Sequence, residues 1–459
     1  MSKNILIIGG SDAGVMAALN LKELAPEFEV TVILADEYPN HSICGLPYAV
    51  SGEVENWEDL AHRKLKDLTA TGVKYNFNTT ADRIDSAKRQ VHAHTAEGTE
   101  VIYDYDELVV ATGASPRTSM IKGLEPEGSE RIHLMHTMQD FFKFQESLED
   151  ESRQDIAIVG AGYIGLEMAE ALRMRGRQVT MFQKPAEVLG TVDPDLGAMV
   201  RQELVDNGVE VRVNSTISEL EETKDTVKIY EKDSDVPFTF DLVLVVTGVL
   251  PNSAILDAAG AKTGIAGAIV TNDYMQTSLP HIWAAGDVVE TKHRLLGRTY
   301  ISLGTTSHKQ GRIAAQNIAG NKISFEGSVG TQVLTVFDLV IARTGLLERE
   351  ALKAGFDPFT STAVVDDHKA YYPGAQKITI RITGDKETKL LLGAQLIGYF
   401  GSEIPKRTDI YATAIYNKMT IPEFSHLDLT YSPKVGAPWD AVQEATQRWE
   451  SEFRKAALD

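Results

Sequence analysis

The chain has 459 residues, 43% hydrophobic and 24% charged, with a formal net charge of -20. That length suggests about three domains at roughly 150 residues each, and the acidic balance excludes nucleic acid and an anionic membrane surface as partners, because both repel it. The single cysteine, Cys44, excludes an intramolecular disulfide and a cysteine-rich metal site.

The N-terminus, MSKNILIIGG, enters an apolar run at once, with no basic leader and no cleavage site, so no signal peptide is expected. No apolar run reaches the ~18 residues of a membrane span. A free thiol and no export signal point to a cytoplasmic protein. The segment NILIIGGSDAGVMAALNLKEL, from Asn4, reads as a β-branched strand, a glycine-rich turn and a helix of small and apolar residues. Its turn carries Gly9, Gly10 and Gly14, with Ser11 in the middle-glycine position followed by Asp12 and Ala13. The next strand, VTVILADEY, ends on Leu34 where a ribose-binding acid is usual. Asp36 stands two residues on, either to take that role or as a solvated loop acid. Cys44 follows in SICGLPYAVSG, beside Ser42, and Gly45 to Val50 are expected to open a helix behind it.

ELVVATGASPR is an apolar strand ending in Ala111, Thr112 and Gly113. From Asp155, DIAIVGAGYIGLEMAEALRMRG repeats the first pattern in full, with Gly160, Gly162 and Gly165. Such glycines permit a tight turn and close approach of backbone to a pyrophosphate, and the helix N-terminus then offers amide N–H groups and a positive dipole end. Gln183 and Lys184 end the following strand, VTMFQKPAEV, where an acid would bond a ribose 2′-hydroxyl and repel a 2′-phosphate. LVLVVTGVLPN gives a second Thr-Gly strand, ending in Gly248, and HIWAAGDVVE ends a buried strand in Gly286-Asp287. From about residue 331, VLTVFDLVIARTGL, KITIRIT and LLLGAQLIGYF alternate as strands of an antiparallel sheet. The 11 histidines are scattered, and none pairs with ligand spacing beside an acid cluster, so no metal site is expected.

Two fingerprints, two Thr-Gly strands and AAGD, in this order, resemble the pyridine nucleotide-disulfide oxidoreductases over essentially the whole chain. The resemblance implies an α/β fold with two three-layer dinucleotide-binding domains and a C-terminal α+β dimerisation domain. FAD is expected on a discontinuous domain (1-118 and 252-328), NADPH or NADH on 119-251, and dimerisation through 329-459. Gly9 to Gly14, Asp36, Ser42, Ala111 to Gly113, Gly286 and Asp287 would line the FAD site. Gly160, Gly162, Ile164, Gly165, Gln183, Lys184 and Gly248 would line the nicotinamide nucleotide site. Tyr163 would cover the flavin until nicotinamide enters, with Glu167 beside it. Lys184, with no acid at Gln183, tilts the choice towards NADPH or dual use.

The lone cysteine is similar to the single-cysteine branch: coenzyme A-disulfide reductases, NADH oxidases and peroxidases, and persulfide reductases. Cys44 would then be the redox-active thiol of an NAD(P)H-dependent reductase of a small disulfide or persulfide, for a thiolate is both nucleophile and oxidisable centre. Tyr431 and one of Tyr371 or Tyr372 would reach the partner subunit's cysteine in a homodimer, where a phenol can hydrogen-bond or protonate a leaving thiolate. Asp12 replaces the histidine usual in peroxidases and oxidases. The arginine-rich first helix that holds coenzyme A phosphates is reduced to Lys22, with Arg63, Lys64 and Lys66 as a separate basic cluster. An oxidase passing electrons to oxygen, and a redox sensor or electron carrier of little turnover, are the alternatives.

Overall fold

The computed structural model describes residues 2–456 and 458. Three five-stranded sheets organise it. The first fingerprint strand, Asn4–Ile8, is the centre of the first sheet, with Glu29–Ile33 and Lys74–Asn76 parallel on one side and Glu107–Val110 on the other. The edge beyond Glu107–Val110 is filled by Ile282–Ala284. The central strand is apolar from Ile5 to Ile8, as expected of a strand covered on both faces, and all four residues are buried.

The second sheet repeats this around Asp155–Val159, flanked by Gln178–Phe182 and Leu242–Val245 in parallel register. Its core joins Ile156 and Ile158 to Leu242 and Leu244 and to the buried face of helix Tyr163–Met174. A short antiparallel ribbon, Ala114–Pro116 with Val249–Pro251, lies where the chain passes between the two sheets.

The third sheet is antiparallel, in the order Gln332–Val336, Leu339–Gly345, Leu391–Tyr399, Lys377–Asp385, Pro358–Asp366. Helices Ile404–Tyr416 and Ala441–Ala456 pack on it, with Tyr411, Phe424 and Trp449 fully buried. The expected fold class, two parallel-sheet α/β units followed by an α+β unit, is thus observed. Among the described residues, no helix is long and apolar enough to cross a membrane.

Candidate active site

Both fingerprints fold into mouths shaped for a pyrophosphate. Gly9 has φ +108°, and a Cβ there would lie 2.1 Å from the Ala111 carbonyl oxygen. A Cβ on Gly14 would lie 1.9 Å from the Gly9 oxygen, so the first turn of helix Asp12–Leu24 sits directly on the loop. The second copy has the same geometry: Gly160 at φ +114°, and Gly165 with a Cβ position 2.0 Å from the Gly160 oxygen. Neither Ser11 nor Gly162, the two N-cap residues, spends a side chain on its helix, so first-turn N–H groups stay free to donate. Nothing lies within 4 Å of a Cβ built on Gly162 or Gly113. Free amides, close backbone and open space fit two dinucleotides, which is the test for bound FAD and NAD(P)H.

The ribose positions are arranged differently from one another. Leu34 is buried against Gly10, whose Cβ position would be 2.8 Å from the Leu34 Cδ1. Asp36 Oδ1 accepts from the Tyr38 amide at 2.9 Å, so one oxygen closes a turn. Gln183 Oε1 accepts from the Ala161 amide at 3.0 Å, which turns its side chain back into the second fingerprint loop. Lys184 is exposed. At the Thr-Gly strand, Thr112 Oγ1 donates to the Asn252 oxygen at 2.8 Å, and the Asn252 side-chain amide donates to the Thr112 oxygen at 2.9 Å. This clamps the two passages between the sheets; Gly113 (φ +68°) and Gly248 (φ +99°) take up the backbone turns there.

Cys44 lies in the 3-10 turn Ile43–Gly45 ahead of helix Leu46–Ser51. Its loop is anchored by Asn40 N donating to Gly10 O (2.8 Å) and Ser42 N donating to Leu60 O (2.8 Å). The thiol is open to solvent on one side. The protein packed around its other side still pushes its pKa up, and the carboxylates of Glu167, Asp12 and Asp287 add to that. Glu167, from helix Tyr163–Met174, has its carboxyl pushed up to about 7, first by burial and then by the Glu170 carboxylate. Asp287 is raised by burial and accepts from Ser307 Oγ at 3.1 Å, while Gln310 Oε1 accepts from the Gly286 amide at 2.9 Å. One thiol and three carboxylates, drawn from four separated segments, therefore lie near enough for the three charges to act on the sulfur.

Residues 3–311 match the family model for the pyridine nucleotide-disulphide oxidoreductases, and residues 331–441 match that family's dimerisation domain. The chain belongs to the pyridine nucleotide-disulphide oxidoreductases. Among curated relatives it is 35% identical to the NAD(P)H sulfur oxidoreductase (CoA-dependent) of Pyrococcus abyssi, over 96% of this chain and 97% of that one. It is 30% identical to the NADH oxidase of Methanocaldococcus jannaschii, over 96% and 97%. Among solved structures, the NAD-dependent persulfide reductase from A. fulgidus superposes with a TM-score of 0.93 at 32% identity, over 99% of this chain and 84% of that one. The expected enzyme class stands: an NAD(P)H-dependent flavoprotein oxidoreductase, with FAD and NAD(P)H as its cofactors.

Within this oxidoreductase the remaining predicted residues fall into two groups. Tyr163 opens the second fingerprint helix, and its Oη donates to Gln332 Oε1 at 2.6 Å, a partner from the third sheet that sequence reasoning missed. Ile164 beside it is half-buried. The tyrosines of the third unit separate from one another. Tyr371 and Tyr431 are exposed neighbours. Tyr372 instead packs edge-on to His368 at 5.9 Å. No hydrogen bond or ring contact among the described residues joins any of the three to the Cys44 loop of the same chain. Lys22 is also spoken for: its Nζ donates to the carbonyls of Pro26 and Phe28.

Proposed function

We propose that the chain reduces a small disulfide or persulfide with electrons from NAD(P)H, and that Cys44 is the nucleophile. What supports this is the chain's only thiol standing exposed on a loop pinned to Gly10 of the first fingerprint, within the field of Glu167 from the second fingerprint helix. FAD held at the first mouth would supply the two-electron relay between nicotinamide and sulfur.

The chain's own residues account for the rest. Gly9 to Gly14, Ala111 to Gly113, Ser42, Asp36, Gly286 and Asp287 hold the flavin nucleotide. Gly160, Gly162, Ile164, Gly165 and Gly248 hold NAD(P)H. Tyr163, tethered to Gln332, stands over the nicotinamide side, and Glu167 beside it. Gln183 is committed to the Ala161 amide and carries no charge, so nothing at that strand end repels a 2′-phosphate, and Lys184 favours one.

The Cys44 thiolate attacks one sulfur of the substrate: a new S–S bond forms, the old one breaks, and one thiolate leaves. Two electrons then break the new bond and free Cys44. Tyr371 and Tyr431 act on the site of the partner subunit, where a phenol steadies a leaving thiolate. Residues 1-118 with 252-328, 119-251 and 329-459 are the corresponding FAD, NAD(P)H and dimerisation domains, in a cytoplasmic homodimer. Because Lys22 caps backbone carbonyls, the first helix offers no free cation to coenzyme A phosphates, and recognition centres on the sulfur end of the substrate.

The test is Cys44→Ser in the flavin-loaded enzyme. Disulfide and persulfide turnover should fall at least ~100-fold while flavin reduction by NAD(P)H persists. Unchanged turnover with every disulfide and persulfide would refute the thiol mechanism, and fast oxygen consumption in its place would favour the oxidase.

A further inference from the structure

The first fingerprint helix and helix Gly304–Ile318 cross at contact distance. A Cβ on Gly311 would lie 2.2 Å from the Ala13 oxygen, and one on Gly304 would lie 2.7 Å from Asp12 Oδ2. This crossing delivers His308 to Asp12, Nε2 to Oδ1 at 2.9 Å. The pair is built into the wall that carries Cys44. Gly10, two residues before Asp12, accepts from the Asn40 amide at 2.8 Å, and Asn40 in turn accepts from the His62 amide at 3.1 Å. The His62 ring then stands edge-on to the His308 ring, with centroids 6.5 Å apart. A closed circuit therefore runs Gly10, Asn40, His62, His308, Asp12, and Cys44 follows Asn40 by four residues. Asp12 is also one of the carboxylates whose field reaches the Cys44 thiol. The other charged groups around this circuit are Asp287 at the end of strand Ile282–Ala284, Glu167 on the second fingerprint helix, Arg63 next to His62, and Lys309 and Arg312 on the helix of His308.

No role in either dinucleotide site falls to His308. Its second imidazole nitrogen has no partner among the described residues, and the ring is 41% exposed at its side chain, so it can exchange protons with water. An imidazole beside a carboxylate can both accept and donate a proton. The reaction has a need for one. Reducing a disulfide consumes one solvent proton: RSSR + NAD(P)H + H⁺ gives 2 RSH + NAD(P)⁺.

We infer that Asp12 and His308 form a carboxylate–imidazole proton store serving Cys44, which supplies the solvent-derived proton to the thiolate released there. Asp12 orients the ring, and His308 connects the site to solvent. Histidine at position 308 thus returns an imidazole to a site whose fingerprint position carries an acid. This inference rests on the reductase reading above and adds to it the source of the proton.

The test exploits the leaving group. A thiolate that is already a stable anion needs no proton to depart, whereas an alkyl thiolate does. His308→Ala and His308→Gln are assayed as flavin-loaded enzymes against an alkyl disulfide and an aryl disulfide with an acidic thiol. Turnover of the alkyl disulfide should drop about 100-fold, turnover of the aryl disulfide less than about threefold, and added imidazole should restore alkyl turnover in His308→Ala only. Equal loss on both substrates, or no loss on either, overturns the inference, as does failure of imidazole to rescue. Cys44→Ser run alongside separates the two claims. If it is inactive while His308→Ala keeps the wild-type pattern, the proton store is wrong and the reductase stands. If Cys44→Ser stays active, the reductase reading itself has failed.

Discussion

Glu167 is the residue whose chemistry is most altered by its surroundings. Burial, followed by the Glu170 carboxylate one turn on along the same helix, pushes its carboxyl up to about 7. It is thus mostly neutral below neutrality and charged above it. Hydride departure makes a nicotinamide ring cationic, and a carboxylate nearby stabilises that charge whereas a carboxylic acid does not. Flavin reduction by NAD(P)H should therefore speed up as pH rises through about 7, by roughly tenfold for ~1.4 kcal/mol of charge stabilisation. Glu167→Gln should stay at the slow acid-side rate at every pH. Stopped-flow reduction at several pH values checks this, and a pH step that survives in the variant assigns it to another group. Sequence alone placed Glu167 beside Tyr163 by resemblance. Its unusual acidity was not legible, because it depends on Glu170 and on packing that no local pattern encodes.

At the scale of elements, the site depends on how closely two helices approach. Helix Gly304–Ile318 meets helix Asp12–Leu24 through Gly311, where a methyl group would stand 2.2 Å from the Ala13 oxygen. In an isolated helix, alanine for glycine is worth about 1 kcal/mol of stability. Here the added carbon meets backbone, which cannot swing aside as a side chain can, so the sign reverses. Gly311→Ala should destabilise the protein by about 1–3 kcal/mol and weaken flavin retention, since the first fingerprint loop is carried on the same helix. A thermal melt with flavin content measured on the same sample checks both; a raised Tm with full flavin would show that the helices separate freely.

The same crossing explains which parts of the site could be read from the chain. Each fingerprint is a local signal, a strand, a turn and a helix within some twenty residues, and the glycines have identifiable steric reasons. The pairing of Asp12 with His308, and of Tyr163 with Gln332, joins segments far apart in sequence through the docking of whole elements. Asp12 and Tyr163 lie within the fingerprints, but His308 and Gln332 have no pattern of their own. The choice between Tyr371 and Tyr372 was open for the same reason: adjacent residues, one beside Tyr431 and the other packed on His368, differ only in the loop geometry that sends them apart.

The whole molecule brings a further requirement. The third unit exposes Tyr371 at 72%, Phe400 at 78%, Val435 at 66% and Trp439 at 50%, a concentration of apolar surface that calls for a partner. The unit matches a dimerisation domain. A two-fold dimer places this surface against its own copy and lets each chain lend residues to the other. If Tyr371 and Tyr431 serve the partner subunit's Cys44, two defective chains can complete each other. Cys44→Ser lacks the thiol but keeps the tyrosines, and Tyr431→Phe keeps the thiol but lacks a phenol. Unfolding and refolding an equal mixture should make half the dimers hybrids, each with one intact site. Disulfide turnover should then recover to about a quarter of the wild-type value, above the sum of the two refolded variants alone. Were the tyrosines to act within their own chain, every hybrid site would lack either thiol or phenol. No recovery would then appear, although light scattering would still report dimers.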